Sequence, residues 1–127
     1  MGPTTHEQNQ TLYLSRTSGR IAYEVDGDGP LVVCVPGMGD LRSVYRFSAP
    51  PLRAAGFRVA AMDLRGHGDS DASFDSYDDV AAGGDVVALI RHLDGPAVIV
   101  GNSMGAGASA WAAAESPADV AGLVLIG

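Results

Sequence analysis

Gly101-Asn102-Ser103-Met104-Gly105 reads G-x-S-x-G, and its flanks decide the fold. Before it, Pro96-Ala97-Val98-Ile99-Val100 is short, apolar and β-branched, as a buried strand requires. After it, Ala106 to Glu115 is almost all alanine and other small residues, which suits a helix. A serine on a tight strand-to-helix turn is pushed out of the sheet, and flanking glycines leave room for the crowded backbone. Strand, turn and helix together make Ser103 the candidate nucleophile on an elbow.

Outward from the elbow, the pattern is strand and helix in alternation. Thr11 to Ser15 and Ile21 to Val25 alternate apolar and polar residues and read as two strands joined at Thr17-Ser18-Gly19. Leu31 to Val35 is continuously apolar, as a strand covered on both faces should be. Arg42 to Ala55 reads as a helix broken at Pro50-Pro51 and stopped by Gly56. Phe57 to Asp63 is the next strand, and Leu64 to Asp75 a polar loop.

A helix is predicted from Ser76, where Ser76 and Asp79 form an S-x-x-D capping pattern. Val86, Leu89, Ile90 and Leu93 give this helix an apolar stripe. The Gly83-Gly84 pair inside it suggests close approach to the sheet. Val120 to Ile126 is a final apolar strand. The predicted class is α/β, a mostly parallel sheet with helices on both faces. Residues 1–10 form a polar arm, and 11–127 form one unit.

Composition narrows the function. The 127 residues carry a net charge of −7, and all eight basic residues are Arg, with no Lys. No basic patch suits nucleic acid, and an anionic membrane surface is disfavoured. Without Lys there is no Walker-type phosphate loop, and Gly37-Met38-Gly39 lacks the third glycine of a dinucleotide fingerprint. Three scattered His and one Cys do not make a metal site, so neither metal nor cofactor is expected. Cys34 lies in an apolar run and reads as a buried, inert thiol. No apolar run spans a bilayer, and the N-terminus resembles neither a signal peptide nor a myristoylation site. A soluble cytoplasmic protein is the expectation.

A serine hydroxyl needs a base to attack a carbonyl, and the resulting oxyanion needs donors already in place. The backbone N–H of Met104, the residue after the serine, would be one. The N–H of Met38, in the loop Pro36-Gly37-Met38-Gly39, would be the second.

Taken together, the Pro36–Gly39 loop, the segment Asp63-Leu64-Arg65-Gly66-His67-Gly68-Asp69-Ser70-Asp71 and the elbow resemble the α/β-hydrolase family. The resemblance covers about Thr11 to Gly127. It implies a Ser–His–Asp hydrolase acting by acyl transfer on a carboxylic ester or similar small acyl substrate. Ser103 would be the nucleophile, and Met38 and Met104 the oxyanion donors. Pro36-Gly37 stands where the family commonly has His-Gly, which bears on loop support rather than on the donor.

Ser103 in place of Asp argues against the dehalogenase and epoxide-hydrolase branches, which use a carboxylate nucleophile. His67 matches a structural part of the family pattern rather than its base. His92 reads as a surface residue. The run Asp69, Asp71, Asp75, Asp78 and Asp79 reads as loop-solvating and helix-capping.

The family's triad runs Ser, acid, His along the chain. After the elbow come Ala106 to Gly127, which hold Glu115 and Asp119 but no His, and both acids are expected at the wrong end of the sheet. The chain therefore reads as the N-terminal half of such a hydrolase, cut after its sixth strand, with a C-terminal half as its missing partner. That would leave the last strand as an exposed apolar edge. The alternatives are an inactive remnant or binding module, and a cofactor-free haloperoxidase or C–C hydrolase of the same fold.

Overall fold

Alternating and continuous apolar runs assemble into a six-stranded sheet in a computed structural model that describes residues 10–127. The proposed N-terminal arm and His6 lie almost wholly outside the described residues. The strands are β1 (Leu12–Arg16), β2 (Gly19–Asp26), β3 (Leu31–Val35), β4 (Arg58–Met62), β5 (Ala97–Asn102) and β6 (Val120–Ile126). Their order is β1-β2-β4-β3-β5-β6. β1 and β2 are antiparallel additions, while β4, β3, β5 and β6 run parallel.

Three α-helices, α1 (Ala49–Ala54), α2 (Asp79–His92) and α3 (Met104–Glu115), connect the parallel strands. The step from β3 to β4 goes one way along the sheet, and the steps from β4 to β5 to β6 go the other. Right-handed crossovers in opposite directions place α1 on one face and α2 and α3 on the other. Leu31, Val33 and Val35 of β3 accordingly join Met62, Val86, Leu89 and Ile90 in one core. Val32 and Cys34 join Tyr45 and Val59 in a second, with Leu52 of α1 packed on it. Burial pushes the Cys34 thiol up to about 12, which makes it a poor nucleophile at neutral pH.

Three local expectations change. The span 42–55 is not one helix broken at its prolines. A single 3-10 turn, Arg42–Tyr45, precedes α1, and Pro50 and Pro51 lie in the opening turn of α1. A proline there forfeits no helical hydrogen bond and presets φ, so the pair starts the helix. The second helix begins at Asp79, and its cap is Asp78, whose carboxylate accepts from Ala81 N at 2.9 Å. Asp78 thus fills the role expected of Ser76, and Ser76 instead accepts from Arg65 through its carbonyl. Gly83 serves helix–helix rather than helix–sheet approach. A Cβ there would lie 2.9 Å from Ala108 O and run into the Trp111 ring of α3.

Within the acidic run the capping duty falls to Asp78, while Asp69 and Asp71 are ion-paired to arginines instead of only solvating the loop. Asp71 accepts from Arg20 N and from its guanidinium, which hold its carboxyl below the ordinary range. Asp69 accepts from Arg42, and Asp78 is the cap.

β6 lies at the sheet edge, and Leu123, Val124, Leu125 and Ile126 are 37–50% exposed. No helix among the described residues is long and apolar enough to cross a membrane.

Candidate active site

β3 and β5 are neighbours in register, with Val35 opposite Gly101. The loops that follow them therefore leave the sheet side by side, at the point where the strand order reverses. In open parallel sheets this crevice is where ligands bind. Ser103 sits here, exposed, with φ 55° and ψ −118°. That backbone region favours glycine, so a serine in it stores strain. The turn is pinned on both sides. Ser103 N donates to Ile126 O at 3.0 Å, and Ser103 O accepts from Ala106 N at 2.9 Å.

The glycines around it are required by contact. A Cβ on Gly37 would sit 3.0 Å from Ser103 Cβ, so the 36–39 loop lies directly against the serine. A Cβ on Gly105 would meet the backbone oxygens of Val35 and, at 2.6 Å, Pro36. Neither carbonyl can swing aside as a flexible side chain would. Gly105→Ala is expected to cost about 2–3 kcal/mol, as overpacking against fixed atoms does, and to be read as a lower urea midpoint at unchanged slope.

Met104 is the first residue of α3, so its N–H has no partner within the helix and lies at the helix's positive end. Met38 follows Gly37 on the facing loop and is 68% exposed. The structure thus brings Ser103, Met38 and Met104 to one rim. Between the two methionines opens a cleft of about 330 Å3, lined also by Leu64, Arg65, His67, Tyr77 and Ala82.

The 63–71 segment buttresses this rim. Asp63, fully buried at the end of β4, accepts from Arg42 N at 2.7 Å, from Asp69 N at 3.0 Å and from the Arg42 guanidinium. Gly68, at φ 51°, has no room for a Cβ, which would lie 2.5 Å from Asp63 Oδ2. Ser70 Oγ accepts from Ala22 N and donates to Asp63 O, both at 2.9 Å, tying the loop to β2. Tyr45 braces the other side. Its hydroxyl donates to Val35 O at 2.8 Å, and burial raises its pKa. The loop carrying Met38 is therefore held at both ends, by Val35 and by Arg42.

Sequence reasoning missed one cluster. Asp85, fully buried in α2, takes both the Nε and Nη2 of Arg65 at 2.8 Å and the Nε of Arg16 at 2.9 Å. Hydrogen bonding to Asp85 raises the Arg65 pKa further. The signal was readable, because Asp85 falls three residues after Ala82 and four before Leu89, on the helix's apolar face. A lone carboxylate on such a face needs buried cations.

Asp40 also belongs to the rim, since a Cβ on Gly37 would lie 3.5 Å from its Oδ2 as well as 3.0 Å from Ser103 Cβ, whereas three other titratable groups stand apart from it. His92 is exposed, Glu115 ends α3, and Asp119 pairs with Arg91 at 3.0 Å before β6 begins. No group of three or more His, Cys, Asp or Glu suited to a metal exists among the described residues.

Comparison with known proteins follows the same geometry. The acetyltransferase component of an acetoin cleaving system from Pseudomonas putida is 40% identical over 130 residues, covering 98% of this chain and 35% of that protein. The 2-(acetamidomethylene)succinate hydrolase of Mesorhizobium japonicum is 38% identical over 114 residues, covering 85% and 40%. An epoxide hydrolase from an endophytic Streptomyces superposes with a TM-score of 0.85 at 32% identity, covering 94% and 37%. The chain thus spans well under half the length of these relatives. Residues 30–127, which hold β3 to β6 and the whole rim around Ser103, match the sequence model of the alpha/beta hydrolase fold, and the chain is a member of that family.

Proposed function

We propose that this chain carries the nucleophile and oxyanion side of a serine hydrolase acting by acyl transfer on a carboxylic ester or similar small acyl substrate. The observation that carries the reading is the backbone of Ser103. A non-glycine residue is held at φ 55°, exposed, against Gly37 and at the start of α3. Strain of this kind persists where the surroundings over-determine it, and here it presents a hydroxyl to the crevice.

In this reading Ser103 Oγ bonds to the substrate carbonyl carbon while a base takes its proton. The carbonyl oxygen becomes an oxyanion and takes hydrogen bonds from Met38 N and Met104 N. The carbon–oxygen ester bond then breaks, and the alcohol leaves with the proton returned by the base. Water, deprotonated by the same base, releases the acid and regenerates the serine. The base and its orienting acid would be carried by the part of the relatives' length that this chain does not span. The match of the chain to only 35–40% of its relatives' length supports that division.

The epoxide hydrolase likeness supports the fold. It does not carry the carboxylate chemistry of that branch, because the elbow residue here is a serine. A second reading is a binding module that keeps the sheet without the chemistry. A fluorophosphonate probe separates the two. The hydrolase reading expects one adduct per chain, mapped to Ser103 by mass spectrometry and absent in Ser103→Ala. A full chain that stays unlabelled, or is labelled elsewhere, supports the binding module instead.

A further inference from the structure

The cleft between Met38 and Met104 is apolar over most of its wall, and its polar side chains are few. Arg65 lines it, yet its three guanidinium nitrogens go to Asp85 and to Ser76 O. The Tyr77 hydroxyl accepts from Phe74 N at 3.1 Å, which leaves it an O–H to donate. His67 is different. Its Nδ1 lies 3.1 Å from Arg65 O, and a carbonyl can only accept, so Nδ1 carries the proton. In the neutral ring Nε2 is then a bare acceptor, and among the described residues it has no partner.

The backbone that carries the ring is also held in place. His67 N donates to Leu64 O, and Ser70 N donates to His67 O, both at 3.0 Å. Arg65, whose carbonyl fixes the tautomer, is itself clamped by the buried Asp85. A rigid acceptor in a small, otherwise apolar cleft is how a pocket fixes orientation and selects chemistry.

Resting on the acyl-transfer reading, we propose that His67 Nε2 is a specificity-determining acceptor. It selects acyl groups that carry a hydrogen-bond donor, a hydroxyl or an amide N–H, a few bonds from the scissile carbonyl. Acyl groups lacking that donor leave Nε2 desolvated and unpaired in the cleft. His67 makes no bond to Ser103 in this scheme and takes no proton from it. Its role is to choose the substrate rather than to activate the serine.

The test compares two matched probes, p-nitrophenyl 3-hydroxybutanoate and p-nitrophenyl 3-methoxybutanoate. They are bound to the full chain with Ser103→Ala, so that no turnover is needed. At mildly alkaline pH the hydroxy ester is expected to bind roughly tenfold more tightly, the worth of one good neutral hydrogen bond. It should also shift the ¹⁵N resonance of His67 Nε2, which the methoxy ester should not. His67→Phe should bring the ratio to about one. His67→Gln, which keeps an acceptor, should retain part of it.

Equal binding of the two esters, or a preference that survives His67→Phe, overturns the assignment. Loss of the preference in both variants does so as well. Because the serine is absent from this experiment, the acyl-transfer reading stands or falls separately, on covalent labelling of Ser103.

Discussion

Replacing Ser103 with alanine in the full protein is expected to lower kcat for ester hydrolysis by up to about 10⁶-fold. In the acyl-transfer reading the loss is large because the hydroxyl is the atom that bonds to the substrate, and the neighbouring groups supply no equivalent hydroxyl. Gly37 and Gly105 carry no side chain, Met38 and Met104 offer only backbone N–H groups, and His67 Nδ1 is engaged by Arg65 O. A residual rate above a hundredth of the parent would remove Ser103 from the chemistry. Ser103→Gly adds a second readout. At φ 55° and ψ −118° glycine is relaxed where serine is strained by about 1–3 kcal/mol, partly offset by the freedom glycine gains on unfolding. A protein that loses its activity and melts a few degrees higher would show that the strain is kept for function.

The second large effect belongs to Asp85. Asp85→Ala is expected to cost about 3–5 kcal/mol, because it leaves the Arg65 guanidinium, only 10% exposed, without its carboxylate. Against a typical total of about 5–15 kcal/mol, that brings a small domain near the edge of folding. Arg16, at 32% exposed, can recover water and suffers less. Urea denaturation reads the loss. Adding Arg65→Met to Asp85→Ala should recover at least half of it, since no buried charge is then left unpaired. If Asp85→Ala alone unfolds at the parent's midpoint, the cluster is not holding β1, the 63–71 loop and α2 together.

These two residues mark what a sequence shows and what it hides. Ser103 was legible because its signal is local: a β-branched strand, a glycine-flanked turn and an alanine-rich helix within twenty residues. The parallel sheet was legible for the same reason, since continuous apolar runs alternate with helical ones. The Arg42–Ala55 span was misjudged because a 3-10 turn and a helix opened by two prolines look like one interrupted helix when only spacing is read. The Arg65–Asp85 pair, the Tyr45 brace and the fixed tautomer of His67 are contacts made by folding, and spacing carries little trace of them. Only the charge of Asp85 on an apolar helix face hinted at one of them.

The close packing of Gly83 against Trp111 has a spectroscopic consequence. Trp111 is the single tryptophan, half-buried on α3, and it faces the helix that carries Asp85. Its emission therefore reports the gap between the serine-bearing helix and the carboxylate-bearing one. Intrinsic fluorescence, with no label attached, can follow the loosening of that seam separately from the melting of the sheet.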